Sequence, residues 1–498
     1  MAGRSRVRSG AIESAASVAA ASRRRLVVDI SQHPDWTMDA LAASEFQKLV
    51  ADAIALHKSG RLDEAERSYR AALRLTPGHG AITHNLGVLA AAQGKHADAI
   101  GHFDAAIAAE PRYASAHYNR AAALEACGRT RDAIQGYSRA CAIEPEHYGS
   151  HRALGLLWLA AGERGRALDH FARTYELRRG EDRSGIAAAS LTTASRGKLL
   201  HDADQLRYLA SRRRDGQRFE LMARAYEQVA AGAPAEAAPL SPSQREILGE
   251  DYNTAINIYS APEIAGGAVS PRPDRDALIA RYWERPSGAI YFDDLLTARA
   301  LATLQRYLRE STIWHDFSHI GGFVASYLED GLACPLLLQI ADELRATFPE
   351  LLGPHPLTQA WAFKGLEAEA AVDVHADDAA VSVNFWVTPD AANLAPDRGG
   401  LRVCRMPPPA GWELTSYHSD QARIVTFLEQ QADNTLLVPY RENRAVLFES
   451  RLFHYSDAPN FDKSYENHRI NLTMLFGHHG RTRPSASPRA RENPPSQN

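Results

Sequence analysis

The chain has 498 residues, 56 Lys and Arg against 60 Asp and Glu, a net charge of −4 and 45% hydrophobic residues. That length exceeds what one hydrophobic core ordinarily supports, so more than one domain is expected. The near-neutral balance argues against a chain-wide nucleic-acid or membrane-surface role, no apolar run is long enough to span a bilayer, and four cysteines without a C-x-x-C pair do not make a disulfide scaffold.

Residues 1–40 open the chain with Arg4, Arg6, Arg8, Arg23, Arg24 and Arg25 set among Ala and Ser. This reads as a flexible basic arm; Glu13 and the scarcity of bulky apolar residues before Ser22 argue against a secretory signal. A reducing cytoplasm is the expected setting.

From residue 46 to residue 181 the chain repeats itself. Gly60, Gly94, Gly128 and Gly162 are spaced by 34 residues, as are Ala65, Ala99, Ala133 and Ala167, and the aromatic set Tyr69, Phe103, Tyr137 and Phe171. Pro77, Pro111 and Pro145 keep the same interval. Four columns agreeing on one period resemble the tetratricopeptide pattern of two helices per repeat. Four repeats are expected, 46–79, 80–113, 114–147 and 148–181, the last an atypical cap with Thr174 where the others have Ala72, Ala106 and Ala140. The resemblance implies a concave groove for a protein or peptide partner, with His84, Asn85, Tyr118 and Asn119 as its candidate lining.

Residues 182–245 read as a helical extension, with Leu199, Leu200, Leu206, Leu209, Phe219, Leu221 and Tyr226 buried, followed by an Ala/Pro linker from Gly232 to Ser243. Helices are expected near 295–311 and 335–347, the second opened by Pro335. Gln359 to Lys364 reads as a strand with Lys364 at the surface.

The chemistry-bearing residues follow. Val372 and Val374 alternate with Asp373 and His375, so on a strand His375 and Asp377 project to one side. Val381, Val383, Phe385 and Val387 then alternate with Ser382, Asn384, Trp386 and Thr388 up to Pro389, a period-2 strand. Arg444 to Glu449 is a short apolar strand that delivers His454, and His468 to Phe476 is another, with Arg469, Asn471 and Thr473 on one face and Ile470, Leu472 and Met474 on the other. The Met406–Gln431 stretch, within the long separation from Asp377 to His454, reads as an inserted loop.

Four other His-x-Asp pairs exist. His96/Asp98 and His102/Asp104 lie in helical segments, where residues i and i+2 diverge. His33/Asp35 has no flanking strand, and His418 of the fourth pair is the runner-up ligand.

Two imidazoles and one carboxylate on one face of an octahedral iron leave three positions open. The order His375, Asp377, His454, Arg469, with the phrase Ser382–Leu394 and Gly399-Gly400-Leu401, resembles the 2-oxoglutarate/Fe(II)-dependent dioxygenases. The resemblance implies a double-stranded β-helix of jelly-roll or cupin type over 246–480 with flanking helices, and a tail over 481–498. It implies Fe(II) held by His375, Asp377 and His454, with no catalytic side chain beyond these ligands. It also implies 2-oxoglutarate held by Arg469, Asn384 and Asn471, O2 as oxidant and ascorbate as stimulant. The family often has serine two residues after this arginine; here it is Asn471. Halogenating members lack the carboxylate, so Asp377 points to hydroxylation. Prolyl hydroxylases use lysine where Arg469 stands, so prolyl specificity is not implied. The expected substrate is a protein or peptide brought by the repeats. The alternatives are a small metabolite or carrier-tethered intermediate, and an interaction scaffold with an inactive oxygenase domain.

Overall fold

The computed structural model describes residues 40–180, 189–284, 288–317, 322–366, 372–409, 411–412 and 421–478. The basic arm, the C-terminal tail and His418 lie outside them.

Eight helices form the first half: α1 (Ala40–Lys58), α2 (Leu62–Leu75), α3 (Gly80–Ala92), α4 (His96–Ala109), α5 (Ala114–Ala126), α6 (Thr130–Ile143), α7 (Tyr148–Ala160) and α8 (Arg164–Arg179). They pair as four antiparallel hairpins, and the first starts six residues before the expected boundary at 46. Each column of the repeat has a physical cause. Gly60, Gly94, Gly128 and Gly162 turn each hairpin at φ +80, +76, +75 and +79°, a region where a Cβ is strained. Ala65, Ala99, Ala133 and Ala167 are fully buried where the helices touch. A Cβ on Gly87 would meet the Phe103 ring at 2.6 Å, and one on Gly155 the Phe171 ring at 2.7 Å, so the aromatic column packs against glycines of the preceding helix that leave room for its rings.

The extension is a further hairpin, α9 (Arg196–Ala210) and α10 (Gly216–Ala230). Leu199, Leu206, Leu209, Phe219 and Tyr226 form its core, but Leu200 is 41% and Leu221 60% exposed, against expectation, because each falls on the outward face beside a buried neighbour position. The linker is partly ordered: Ala238–Pro239 pairs with Thr193–Ala194, and Ser241 with Gln244 forms a capping box on α11 (Pro242–Leu248).

A β-sheet-rich region follows. Its strands are β1 (Ala289–Phe292), β2 (Phe323–Tyr327), β3 (Leu357–Gly365), β4 (Val381–Trp386), β5 (Leu401–Cys404), β6 (Thr435–Val438), β7 (Ala445–Glu449), β8 (His454–Ser456) and β9 (Ile470–Phe476). Six make one antiparallel sheet in the order β1-β7-β4-β9-β3-β2, and three make a second in the order β8-β5-β6. The large sheet is buried on both faces. Val381, Val383, Phe385, Leu447, Ile470, Leu472 and Met474 face α12 (Arg275–Trp283), α13 (Ala298–Glu310) and α14 (Pro335–Thr347) across the main core. Trp386, Val446 and Phe448 face Leu401, Val403 and Val438 of the small sheet. Residues 372–375, expected as a strand, form none; a single bridge between His375 and His454 places them beside β8.

The repeats are fastened to this region. Arg179, 2% exposed, makes a bidentate pair with Asp330 at 2.9 and 2.8 Å, Arg152 reaches Glu329 at 2.8 Å, and Tyr175 OH lies 2.9 Å from His315 Nε2. Asp330 and Glu329 belong to the turn Leu328–Leu332 that β2 runs into. Burial alone would raise the Asp330 pKa, but Arg178 and Arg179 hold its carboxyl well below the usual range.

Candidate metal centre between two sheets

His375, Asp377 and His454 come together although 77 residues separate the last two. One ligand atom from each lies within 4.8 Å of the others, and they are the one group of this kind among the described residues. His375 Nε2 is 3.8 Å from Asp377 Oδ1, and His454 Nε2 is 3.6 Å from Asp377 Oδ2. The backbone brings them together through the reciprocal His375–His454 bridge, N to O at 3.1 and 2.9 Å. Because β7 ends at Glu449 and a turn reverses the chain, His454 opens β8 in the small sheet rather than closing the preceding strand.

The tautomers follow from the partners. His375 Nδ1 lies 2.8 Å from the carbonyl of Asp373, and His454 Nδ1 lies 2.9 Å from that of Leu452, in both cases two residues back. A carbonyl only accepts, so each Nδ1 carries the proton and each Nε2 presents its lone pair to the shared space. Burial, with His375 beside it, pushes the His454 pKa down to about 4, so the ring is neutral at pH 7, as a metal ligand must be. Behind the ligands, Val374, Ala376, Phe453 and Cys404 pack with Ile424 of α15 (Gln421–Gln430), which occupies the expected inserted stretch.

Arg469 sits just before β9, 5% exposed. Its Nε donates to Gly399 O at 3.0 Å and its guanidinium lies 5.8 Å from the Trp386 ring. Among the described residues it has no carboxylate within ion-pair distance. Burial pushes its pKa down to about 10, with Tyr440 acting the other way. Asn384 faces the same inter-sheet space on β4, with its Oδ1 buried and without a hydrogen-bond partner, as is Trp386 Nε1. Asn471 is tied to Thr473 Oγ1 through Nδ2 at 3.2 Å.

Two expectations are corrected. Lys364 is fully buried on the helix-facing side of β3, its Nζ 3.4 Å from the Tyr465 ring centroid and without a hydrogen-bond partner; burial and Arg309 hold its pKa well below that of a free amine. Its place in the alternation, with Ala360 and Ala362, required this. His84, Asn85 and Asn119 do not line an open groove: they are 0%, 0% and 5% exposed, and Asn119 Nδ2 lies 2.7 Å from His84 Nε2, a bond between adjacent repeats. Tyr118 packs its ring against that of His147, tilted by 45° with centroids 4.9 Å apart. The other His-x-Asp copies His96/Asp98 and His102/Asp104 lie in α4, as expected. Sequence reading missed Ser382 and Ser450, which hold Asp377. The inward alternation of Ser382 was visible, whereas nothing in the sequence marked Ser450.

The tetratricopeptide repeat profile matches residues 50–114 and 84–146. No curated protein matches the chain. Among solved structures, MamA 41-end from Desulfovibrio magneticus RS-1 is 24% identical over 28% of this chain and 77% of its own, with a TM-score of 0.26. The first TPR of Spaghetti (RPAP3) bound to an HSP90 peptide is 23% identical over 24% and 94%, with a TM-score of 0.23. A tetratricopeptide repeat protein from Parabacteroides merdae is 19% identical over 38% and 61%, with a TM-score of 0.26. The N-terminal region is thus built of tetratricopeptide repeats, which suggest a role in protein interaction. Among the described residues no helix is long and apolar enough to cross a membrane.

Proposed function

We propose that the chain is a 2-oxoglutarate- and Fe(II)-dependent dioxygenase that hydroxylates a protein or peptide brought to it by the repeats. The observation that carries this reading is the convergence of two Nε2 lone pairs and one carboxylate between two sheets, with a buried arginine that has no carboxylate within ion-pair distance among the described residues.

The chain path supports the sheet region as a double-stranded β-helix. β3, β4, β7 and β9 belong to the large sheet, β5, β6 and β8 to the small one, and residues 372–375 lie beside β8. From β3 onward the chain therefore passes back and forth between the sheets, staying in the small one only for the β5–β6 hairpin, a path that suits a jelly roll.

The donor set fits the expected occupants. Two imidazoles and one carboxylate suit Fe(II) with open positions. Bound there with 2-oxoglutarate and O2, the iron would supply the oxidising power to hydroxylate a C–H bond, leaving succinate and CO2. The residues of the chain do the rest. Ser382, beside Asp377, and Trp386, beside Arg469, are four residues apart on β4, roughly 13 Å at about 3.3 Å per residue. Asn384 lies midway and offers an unpaired Oδ1. Arg469 would bind the distal carboxylate of a five-carbon diacid bidentately, ending the isolation of its buried charge. Leu401, Val403, Val438, Val446 and Phe448 keep the inter-sheet space dry around it.

Succinate formation from 2-oxoglutarate with Fe(II), ascorbate and O2 tests the reading. The parent should turn over, Asp377→Ala should not, and Arg469→Ala should need far more co-substrate. No turnover, with no metal-dependent binding of 2-oxoglutarate, leaves the repeats as the function.

A further inference from the structure

Asp377 is held by two residues that no motif connects to it. Its backbone N–H donates to Ser450 O at 2.8 Å, and its Oδ2 accepts from Ser382 Oγ at 2.7 Å. Ser382 Oγ lies 2.9 Å from Ser450 Oγ, and both serines are 0% exposed. Each hydroxyl has one proton to give. An ionised carboxylate only accepts, so the Ser382 proton points to Oδ2, and the proton between the two hydroxyls comes from Ser450. The buried chain therefore runs in one direction, Ser450 to Ser382 to Asp377, and it closes on the Asp377 backbone. Asp377 Oδ1 lies 3.8 Å from His375 Nε2 and Oδ2 lies 3.6 Å from His454 Nε2, so the imidazoles do not separate the two oxygens; what does is that Oδ1 receives no hydrogen bond among the described residues and Oδ2 receives one.

We infer that Ser382, backed by Ser450, is a positioning residue that reserves Oδ1 as the single metal-ligating oxygen of Asp377, a role that rests on the metal centre proposed above. The sequence of constraints is physical. Turning the carboxylate so that both oxygens ligate would strip Oδ2 of a hydrogen bond in a place closed to water. A single carboxylate oxygen with two imidazoles fills three of six octahedral positions. A second oxygen would fill a fourth and leave two, too few for a chelating co-substrate and a further ligand at once. Ser382 thereby protects an open position through Asp377, without touching substrate.

The test uses the full chain with Co(II) alone as probe, read by visible absorption and by titration. The parent should bind one Co(II) per chain, and Asp377→Ala should bind none at this site. Ser382→Ala should still bind one, about tenfold or more weaker, with a changed ligand-field spectrum. Ser382→Thr restores the hydroxyl and should recover the parent spectrum, and Ser450→Ala should move it in the same direction as Ser382→Ala. A Ser382→Ala protein with the parent's affinity and spectrum would overturn the inference while leaving the metal centre intact. If that variant does not fold, Ser450→Ala decides, an unchanged spectrum overturning it. A parent that binds no Co(II) overturns the centre and the inference together.

Discussion

The repeat array and the sheet region store their instructions differently. In the array each structural requirement recurs every 34 residues, so Gly60 states the same rule as Gly94, Gly128 and Gly162, at φ between +75 and +80°. Losing one copy weakens one hairpin. In the sheet region each requirement is stated once: Asp377 depends on Ser382, Ser450 and two histidines, and none has a substitute among the described residues. A repeat can therefore be read from spacing, whereas a site assembled between sheets can be read only as a list of candidates. The joint combines the two kinds, since Arg152, Arg178 and Arg179 on repeat helices meet Glu329 and Asp330 of a turn in the sheet region.

Substitutions sharpen this contrast. The largest stability effect is expected at the joint. Arg179→Ala leaves Asp330 buried without its bidentate partner and should cost about 3–5 kcal/mol by denaturant unfolding at pH 7. The folded-state pKa of Asp330 is depressed, so its contribution is present above the ordinary carboxylate pKa and is lost as pH falls through the folded value. The deficit of Arg179→Ala should accordingly shrink in acid; a deficit that holds constant down to pH 3 would contradict the ion-pair account.

Within the array, Phe103→Ala removes a fully buried ring that fills the space over Gly87 and should cost about 3–4 kcal/mol. Its unfolding should be measured beside Phe171→Ala, whose ring also packs toward the sheet-region core. If the second variant lost no more than an exposed substitution does, the repeat would not be coupled to the sheet.

Lys364→Met should stabilise the protein, by about 1–3 kcal/mol, since it replaces a buried amine that has ring faces but no hydrogen-bond partner among the described residues with an apolar side chain of similar length. The folded pKa of Lys364 is depressed, so the parent gains stability as pH rises from that folded value toward the free amine's, and the advantage of Met should fade over the same window. Destabilisation at pH 7 would mean that the amine has a role the packing does not reveal.

The smallest effects separate two kinds of glycine. Gly60→Ala forces a Cβ into φ +80° and should lose about 1–2 kcal/mol. Gly101→Ala, inside α4 with nothing within 4 Å of the new Cβ, should gain about 0.5–1 kcal/mol. Equal thermal shifts of the same sign would remove the conformational explanation of the repeat glycines.

How much was legible follows the same division. The four repeats, their turns and their buried columns were present as spacing. Strands β4 and β9 were present as alternation, and His375, Asp377 and His454 as residue types in order. The solvent exposure of Leu200 and Leu221 was not, because a run of leucines does not say which of them faces outward. The burial of Lys364 was overlooked because charge outweighed alternation: its parity with Ala360 and Ala362 already placed it on the inner layer. The polar contact from His84 to Asn119 hid behind a residue composition that suits a groove equally well. Ser450 could not be found at all, since its hydroxyl and carbonyl matter only once β7 and the Asp377 segment lie side by side.

The central claim is that the inter-sheet space holds iron and a diacid together. Its most direct test is anaerobic addition of Fe(II) and 2-oxoglutarate to the full chain, followed by visible absorption. The account predicts a charge-transfer band that needs both additions, reaches saturation at one of each per chain, and is absent in His454→Ala. A parent that shows no band, or a band unchanged in that variant, would contradict it.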